Sequence, residues 1–291
     1  MIPRFSLARP RTLAEAFEAF SAAEGEGAYI AGGTELLQVM KMGFAQFRTL
    51  IDLKAIAELH GIEASDGSLR IGAATTHRAV ERSADVMAAF PGLVELEHTV
   101  ANVRVRSTGT LGGNLAFAEP HSDPATLLLA SDARVELSRP SGDRALSLSE
   151  FILGPLATSR DPEEILTGVR IPAAREGEGR AYRKLAFFER PAASVAVRLT
   201  VRDGQIDEAT VAVGSLTEVP EIVEAAGSAL VGASTRAPAE LDRAIEAAGA
   251  AFGSLDAIED LNGSADYKRH LAGVLLGSAT RAAIQEANAD A

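Results

Sequence analysis

The chain has 291 residues, no cysteine and a formal net charge of −12. Its length suits about two or three compact units; the missing cysteines exclude disulfides, a thiol nucleophile, Cys-ligated zinc and a Cys-held iron–sulfur cluster within the chain. An acidic balance without any basic run argues against a nucleic-acid partner, while no window approaching ~20 apolar residues and no secretory signal lead us to expect a soluble, cytoplasmic protein without an integral membrane segment.

Thr12 and Glu15 form a capping-box pattern, and Leu13, Phe17 and Phe20 recur on one face, so a short amphipathic helix is expected to end near Gly25. Ala28–Ala31 reads as a brief buried strand that runs into Gly32-Gly33 and then Thr34–Lys41, of helical composition, up to Gly43. Residues 47–53 and 68–74 are further strands, each followed by helical stretches, and Thr75-Thr76-His77 makes a polar turn. A second glycine loop spans Thr108–Asn114, and Asp123-Pro124 opens an apolar helix through Leu129, with Asp123 suited to the cap.

From about residue 174 the run AAREGEGRA, rich in charge and glycine, reads as a linker or exposed loop between domains. Beyond it, Ser194–Val201 and Ile206–Val213 alternate and are joined by Asp203-Gly204, a hairpin signal. Helices are expected to dominate the remainder, the last carrying Tyr267, Leu271, Val274, Leu275 and Ala279 as a core-facing stripe. Histidines 60, 77, 98, 121 and 270 fall in no helical ligand pair, so no metal site is expected.

A strand that ends in paired glycines and feeds a helix lets main-chain N–H groups approach a phosphate, and two such loops can grip one pyrophosphate. Either loop alone is more often simply a turn needing positive φ. No G-x-G-x-x-G between strand and helix, no phosphate-binding G-x-x-x-x-G-K-[ST] and no G-x-S-x-G elbow is present, which disfavours Rossmann, P-loop and hydrolase readings.

Together AGGTELLQVMK at 31–41, LIDL at 50–53, LRIGAATTH at 69–77, VRVRSTGTLGGNLAFAEPHSDPATLLLA at 103–130 and DYKRHLAGVLL at 266–276 carry a resemblance across nearly the whole chain. The sequence resembles the FAD-binding medium subunit of molybdenum hydroxylases, the family of the carbon monoxide dehydrogenase medium chain and the xanthine dehydrogenase flavin domain. The resemblance implies an α+β fold: a two-subdomain FAD-binding domain of the vanillyl-alcohol-oxidase (PCMH) type at 1–58 and 59–173, and a C-terminal α+β domain at 174–291. It implies FAD in this chain, with [2Fe-2S] centres and a molybdenum cofactor on small and large partner subunits, assembled as a dimer of heterotrimers.

Carried over residue by residue, the first loop (Ile30, Ala31, Gly32, Gly33, Thr34, Glu35, Leu36, Leu37) and the second (Thr110, Leu111, Gly112, Gly113, Asn114) are implied to hold the diphosphate through main-chain donors. Asp123 is implied to hydrogen-bond hydroxyls of the flavin's sugar chain, Lys184 to lie near its pyrimidine end, and Leu166 and Val100 to pack near the ring. Ser107-Thr108 replaces a more usual Asn-containing pair, Thr34-Glu35 occupies a variable spot, and His77 and His121 read as local turn partners. No catalytic acid or base is implied, since flavin electron transfer requires the protein to bind, orient and tune the ring. Two other readings remain open: a self-sufficient flavin reductase or oxidase on the same fold, and a non-redox nucleotide-binding assembly protein.

Overall fold

The computed structural model describes residues 2–65 and 67–289. At the N-terminus, strands Ser6–Ala8, Gly27–Ile30 and Thr49–Asp52 form a parallel sheet with the last in the middle. Helices Leu13–Ala22 and Leu36–Met42 make the two crossovers. Neighbouring side chains on a strand point to opposite faces, so Ile51 packs with Ala16, Leu53 and Ile56, and Leu50 with Ile30 and Met40. The first helix is capped as expected by Thr12, whose hydroxyl accepts the Glu15 N–H at 3.2 Å, but the Glu15 carboxylate accepts from the Arg11 N–H rather than completing the box. After Thr49–Asp52 only two short 3-10 turns follow, not the helix expected there.

A five-stranded antiparallel sheet comes next, in the order Ile62–Ser65, Ser68–Gly72, Ile165–Pro172, Arg134–Arg139, Gly142–Ser147. Against it pack helices from His77–Glu81 to Asp123–Ala130, whose residues Leu93, Leu111, Leu115, Leu127 and Leu128 are buried with Ile71 and Val169.

The third sheet, also antiparallel, runs Glu178–Ala186, Pro191–Arg202, Gln205–Gly214, Glu221–Ile222. Its long hairpin turns at Asp203 (φ 53) and Gly204 (φ 80), the left-handed pair that matches strand twist. One face, with Val195, Val197, Val211 and Val213, is covered by helices Glu224–Leu230, Pro238–Ala250 and Ala265–Ala287. The other presents Tyr182, Ala196 and Ala212 to the apolar cluster around the helix Asp123–Ala130. Strand Pro191–Arg202 is therefore buried on both faces over most of its length.

Two expectations need correction. The run after residue 174 is exposed only at first: Glu178, Arg180 and Ala181 are buried at the start of a strand. Arg180 pairs with Glu178 at 2.6 Å, donates to the Pro172 carbonyl at 2.9 Å and lies over the Phe90 ring, while Gly179 abuts the backbone of the last helix at Ala283. In that last helix Lys268, Ala272, Leu276, Ala279, Thr280 and Ala283 are fully buried; of the expected stripe, Ala279 is core and Leu271 and Leu275 pack against it, whereas Tyr267 and Val274 are exposed. The apolar pattern erred at Tyr267 and Val274 because a lysine takes the buried place at the start of the stripe, its ammonium bonded to Asp260 at 2.6 Å and to the Ser215 carbonyl at 3.1 Å.

Candidate functional site

The two glycine loops meet. A Cβ placed on Gly32 would lie 2.7 Å from the Gly109 Cα, so no side chain fits there, and one on Gly109 would lie 3.4 Å from the Thr34 hydroxyl, so the loops touch. Between them opens a cleft of about 740 Å³, within the range of small-molecule and cofactor sites. Its wall includes Ile30, Ala31, Gly32, Gly33, Thr34, Glu35 and Leu36 from the first loop and Thr110, Gly113 and Asn114 from the second.

The loops do not contribute alike. The amides of Gly32, Gly33, Thr34 and Glu35 donate to no acceptor among the described residues. Gly33 takes φ +71, a conformation that L side chains rarely adopt. In the second loop four amides are internally occupied: Leu111 donates to Thr75, Gly112 to Ala73, Gly113 to the Thr110 hydroxyl and Asn114 to the Thr110 carbonyl, while that of Thr110 donates to no acceptor among the described residues. The helices that follow, Leu36–Met42 and Leu111–Phe117, have seven residues each, so what the first loop offers is free amides rather than a long macrodipole.

Two buried polar pairs form the floor. His77, on the wall, turns Nδ1 to Glu97 at 2.8 Å, and its main-chain N–H donates to Gly109. Burial pulls the imidazole down, yet the charge and hydrogen bond of Glu97, aided by Asp123 and opposed by Arg106, leave it above its ordinary value. Asp123 also faces the cleft; one oxygen accepts from the Tyr182 hydroxyl at 2.6 Å and the other from Lys184 at 2.8 Å. Burial pushes its carboxyl up, with Lys184 and Tyr182 pulling against the rise. Ser122, not Asp123, occupies the helix cap position, so the carboxylate is free of capping duty.

Val100 and Ala101 line the cleft from a short loop in which Ala101 adopts φ 40. Arg106 holds that loop: its Nη1 donates to the Val100 carbonyl at 3.0 Å, and its Nε pairs with Glu81 at 3.0 Å. At the mouth, Arg190 reaches Glu119 at 2.8 Å and Glu35 at 3.5 Å, and Asn102 donates to Glu189 at 2.5 Å. His121 bridges Glu119 at 2.9 Å and Asp260 at 2.8 Å. The C-terminal sheet and its helices are thereby tied to the rim.

Twelve of the residues singled out in the sequence line the cleft: Ile30 to Leu36, Val100, Thr110, Gly113, Asn114 and Asp123. Five lie behind it. Leu37 packs with Ile30 and Met40, and Leu111 and Leu166 are core. Gly112 abuts Ala73, where a Cβ would stand 2.7 Å from the carbonyl oxygen. Lys184 stands behind Asp123 rather than on the wall. His77 and His121 are not simply turn partners: each reaches a carboxylate far along the chain. Arg160, Glu189 and Arg190 also line the cleft and carried no local signal, because long-range folding alone brings them there.

A family model described as the FAD binding domain in molybdopterin dehydrogenase matches residues 3–174, and one described as the CO dehydrogenase flavoprotein C-terminal domain matches residues 189–283. The chain belongs to this family of FAD-binding oxidoreductase subunits. It is 33% identical to the carbon monoxide dehydrogenase medium chain of Afipia carboxidovorans, over 100% of this chain and 99% of that one. The nicotine 6-hydroxylase medium subunit of Paenarthrobacter nicotinovorans is 32% identical over 93% of this chain and 94% of its own. A solved carbon monoxide dehydrogenase from Hydrogenophaga pseudoflava superposes with a TM-score of 0.92 at 32% identity, covering 98% of this chain and 99% of that one. The expected fold class, a two-part FAD-binding domain with a C-terminal α+β domain, is thus the observed one. The cleft suits the family's cofactor: four free amides on a glycine loop, buried polar groups along the floor and a volume adequate for a nucleotide.

Proposed function

We propose that the chain is the electron-transfer subunit of a heterotrimeric molybdenum hydroxylase, passing electrons from [2Fe-2S] centres on a small subunit through FAD to an external acceptor. The supporting observation is the run of free amides from Gly32 to Glu35, facing Thr110, Gly113 and Asn114 across one cleft. Relatives named as medium chains support small and large partner subunits. The assembly we propose is a dimer of heterotrimers in the cytoplasm. Among the described residues no helix is long and apolar enough to cross a membrane. We divide the chain into units 1–58, 59–173 and 174–291, in keeping with its three larger sheets.

Bound flavin supplies one- and two-electron redox chemistry. This chain's residues bind and orient it. In our assignment the amides of Gly32–Glu35 take the diphosphate, and Asp123, aimed by Tyr182 and Lys184, takes hydroxyls of the sugar chain. Val100, fixed by Arg106, shapes the apolar wall. Lys184 acts on the ligand through Asp123, and Leu37, Leu111, Gly112 and Leu166 act by packing.

Purification of the tagged chain from its own host tests the assignment. The expected product is a yellow complex with a cysteine-rich small subunit and a large subunit containing molybdenum. A lone chain that turns over an organic substrate, or a folded complex free of FAD, would contradict it.

A further inference from the structure

Glu97 is completely buried, and one of its oxygens, Oε1, has no hydrogen-bond partner among the described residues. Its other oxygen meets only the His77 ring, at 2.8 Å. A buried carboxylate with so little support is costly unless a cation stands beside it, so the pair favours a doubly protonated imidazole. With Nδ1 committed to Glu97, the remaining donor is Nε2, which has no partner among the described residues although His77 is nine-tenths buried and more. The ring's position is set by the two loops: a Cβ on Gly109 would lie 3.3 Å from His77 Cδ2, the atom bonded to Nε2, and 3.4 Å from the Thr34 hydroxyl. Nε2 therefore belongs to the junction of the loops, on the cleft wall.

Four of the second loop's amides, Leu111 to Asn114, are spent internally, and among the described residues only that of Thr110 is left. An anion resting between the loops is thus short of donors on that side and calls for another. We propose that His77, held by Glu97, supplies it: an imidazolium that donates from Nε2 to the diphosphate of the bound dinucleotide. This inference rests on the FAD-binding reading and names a residue absent from the glycine motifs themselves. The groups around the ring are Glu97 on the helix Pro91–Thr99, Asp123 on the helix Asp123–Ala130 and Arg106 on the helix Val103–Thr108; the two carboxylates favour the cation and the guanidinium opposes it. The imidazolium is retained below its raised pKa, so the contact weakens as pH rises through that value.

The test uses the full apo chain with FAD and inorganic pyrophosphate as separate probes. His77→Gln should weaken both by about tenfold to a hundredfold, the range of a charge-assisted hydrogen bond. Glu97→Gln should bind FAD normally at mildly acidic pH and lose affinity at lower pH than the wild type does, a displacement that a purely structural role would not produce. Because either variant can perturb folding, ¹⁵N NMR of the wild-type imidazole provides an independent readout: both ring nitrogens protonated at neutral pH, with the Nε2 resonance moving on addition of pyrophosphate. FAD binding with an unmoved Nε2, or His77→Gln binding both probes as the wild type does, overturns this inference and leaves the FAD reading standing. Pyrophosphate binding that moves Nε2 without any binding of FAD supports the anion contact and overturns the FAD reading; binding of neither probe overturns both.

Discussion

Gly32 and Thr108 are in backbone contact: a methyl on Gly32 would run into the Thr108 carbonyl and stand 2.7 Å from the Cα of Gly109. The second loop is held in place, since Gly109 donates to the Val105 carbonyl and accepts from the His77 amide. Gly32→Ala should therefore separate the loops and lower FAD affinity about tenfold or more, with about 1–3 kcal/mol of overpacking. Titration of apo protein with FAD, followed by flavin fluorescence, reads this. Gly253→Ala, where nothing lies within 4 Å, is the matched control and should bind as the wild type does.

Lys184→Met should leave the Asp123 carboxylate buried with only the Tyr182 hydroxyl for support. Removing one partner of a buried ion pair costs about 3–5 kcal/mol. Burial already raises the Asp123 pKa, and a group with a raised folded pKa favours the protonated state, so its stability contribution falls as pH rises through that pKa. Thermal melts of Lys184→Met should accordingly fall further below the wild type at neutral than at acidic pH. A deficit independent of pH would show that the lysine serves packing alone.

The glycine loops and the order of most elements were legible in the sequence because they rest on local rules: paired glycines, Asp203-Gly204, the Thr12 cap. The central antiparallel sheet was largely missed. Gly142–Ser147 carries charge and presents exposed or half-exposed positions without apolar alternation, and Arg134–Arg139 alternates only through Val135 and Leu137, a pair too short to stand out as a strand by itself. Family resemblance pointed to Asp123 and Lys184, but only the fold shows that Lys184 touches the ligand site through Asp123. Glu97 carried no signal at all: its significance comes from burial opposite His77, twenty positions earlier.

Asp260 joins three elements, accepting from Lys268, from the Asn262 N–H and from His121. Burial raises its carboxyl, but these donors outweigh burial and bring it down to about 2. A depressed carboxyl pKa contributes stability above the unfolded value and loses it as pH falls toward the folded one. Asp260→Asn should thus destabilise the chain at neutral pH by about 3 kcal/mol, because it strands the buried Lys268 ammonium. The difference from the wild type should shrink below pH 4, as read by denaturant melts across pH.

A crystal structure of the full chain grown with FAD tests most directly whether the two loops hold one diphosphate. The expected density is one dinucleotide per chain, its diphosphate within hydrogen-bonding distance of the Gly32–Glu35 amides on one side and the Thr110–Asn114 segment on the other. FAD seated elsewhere, or a diphosphate remote from either loop, would contradict it.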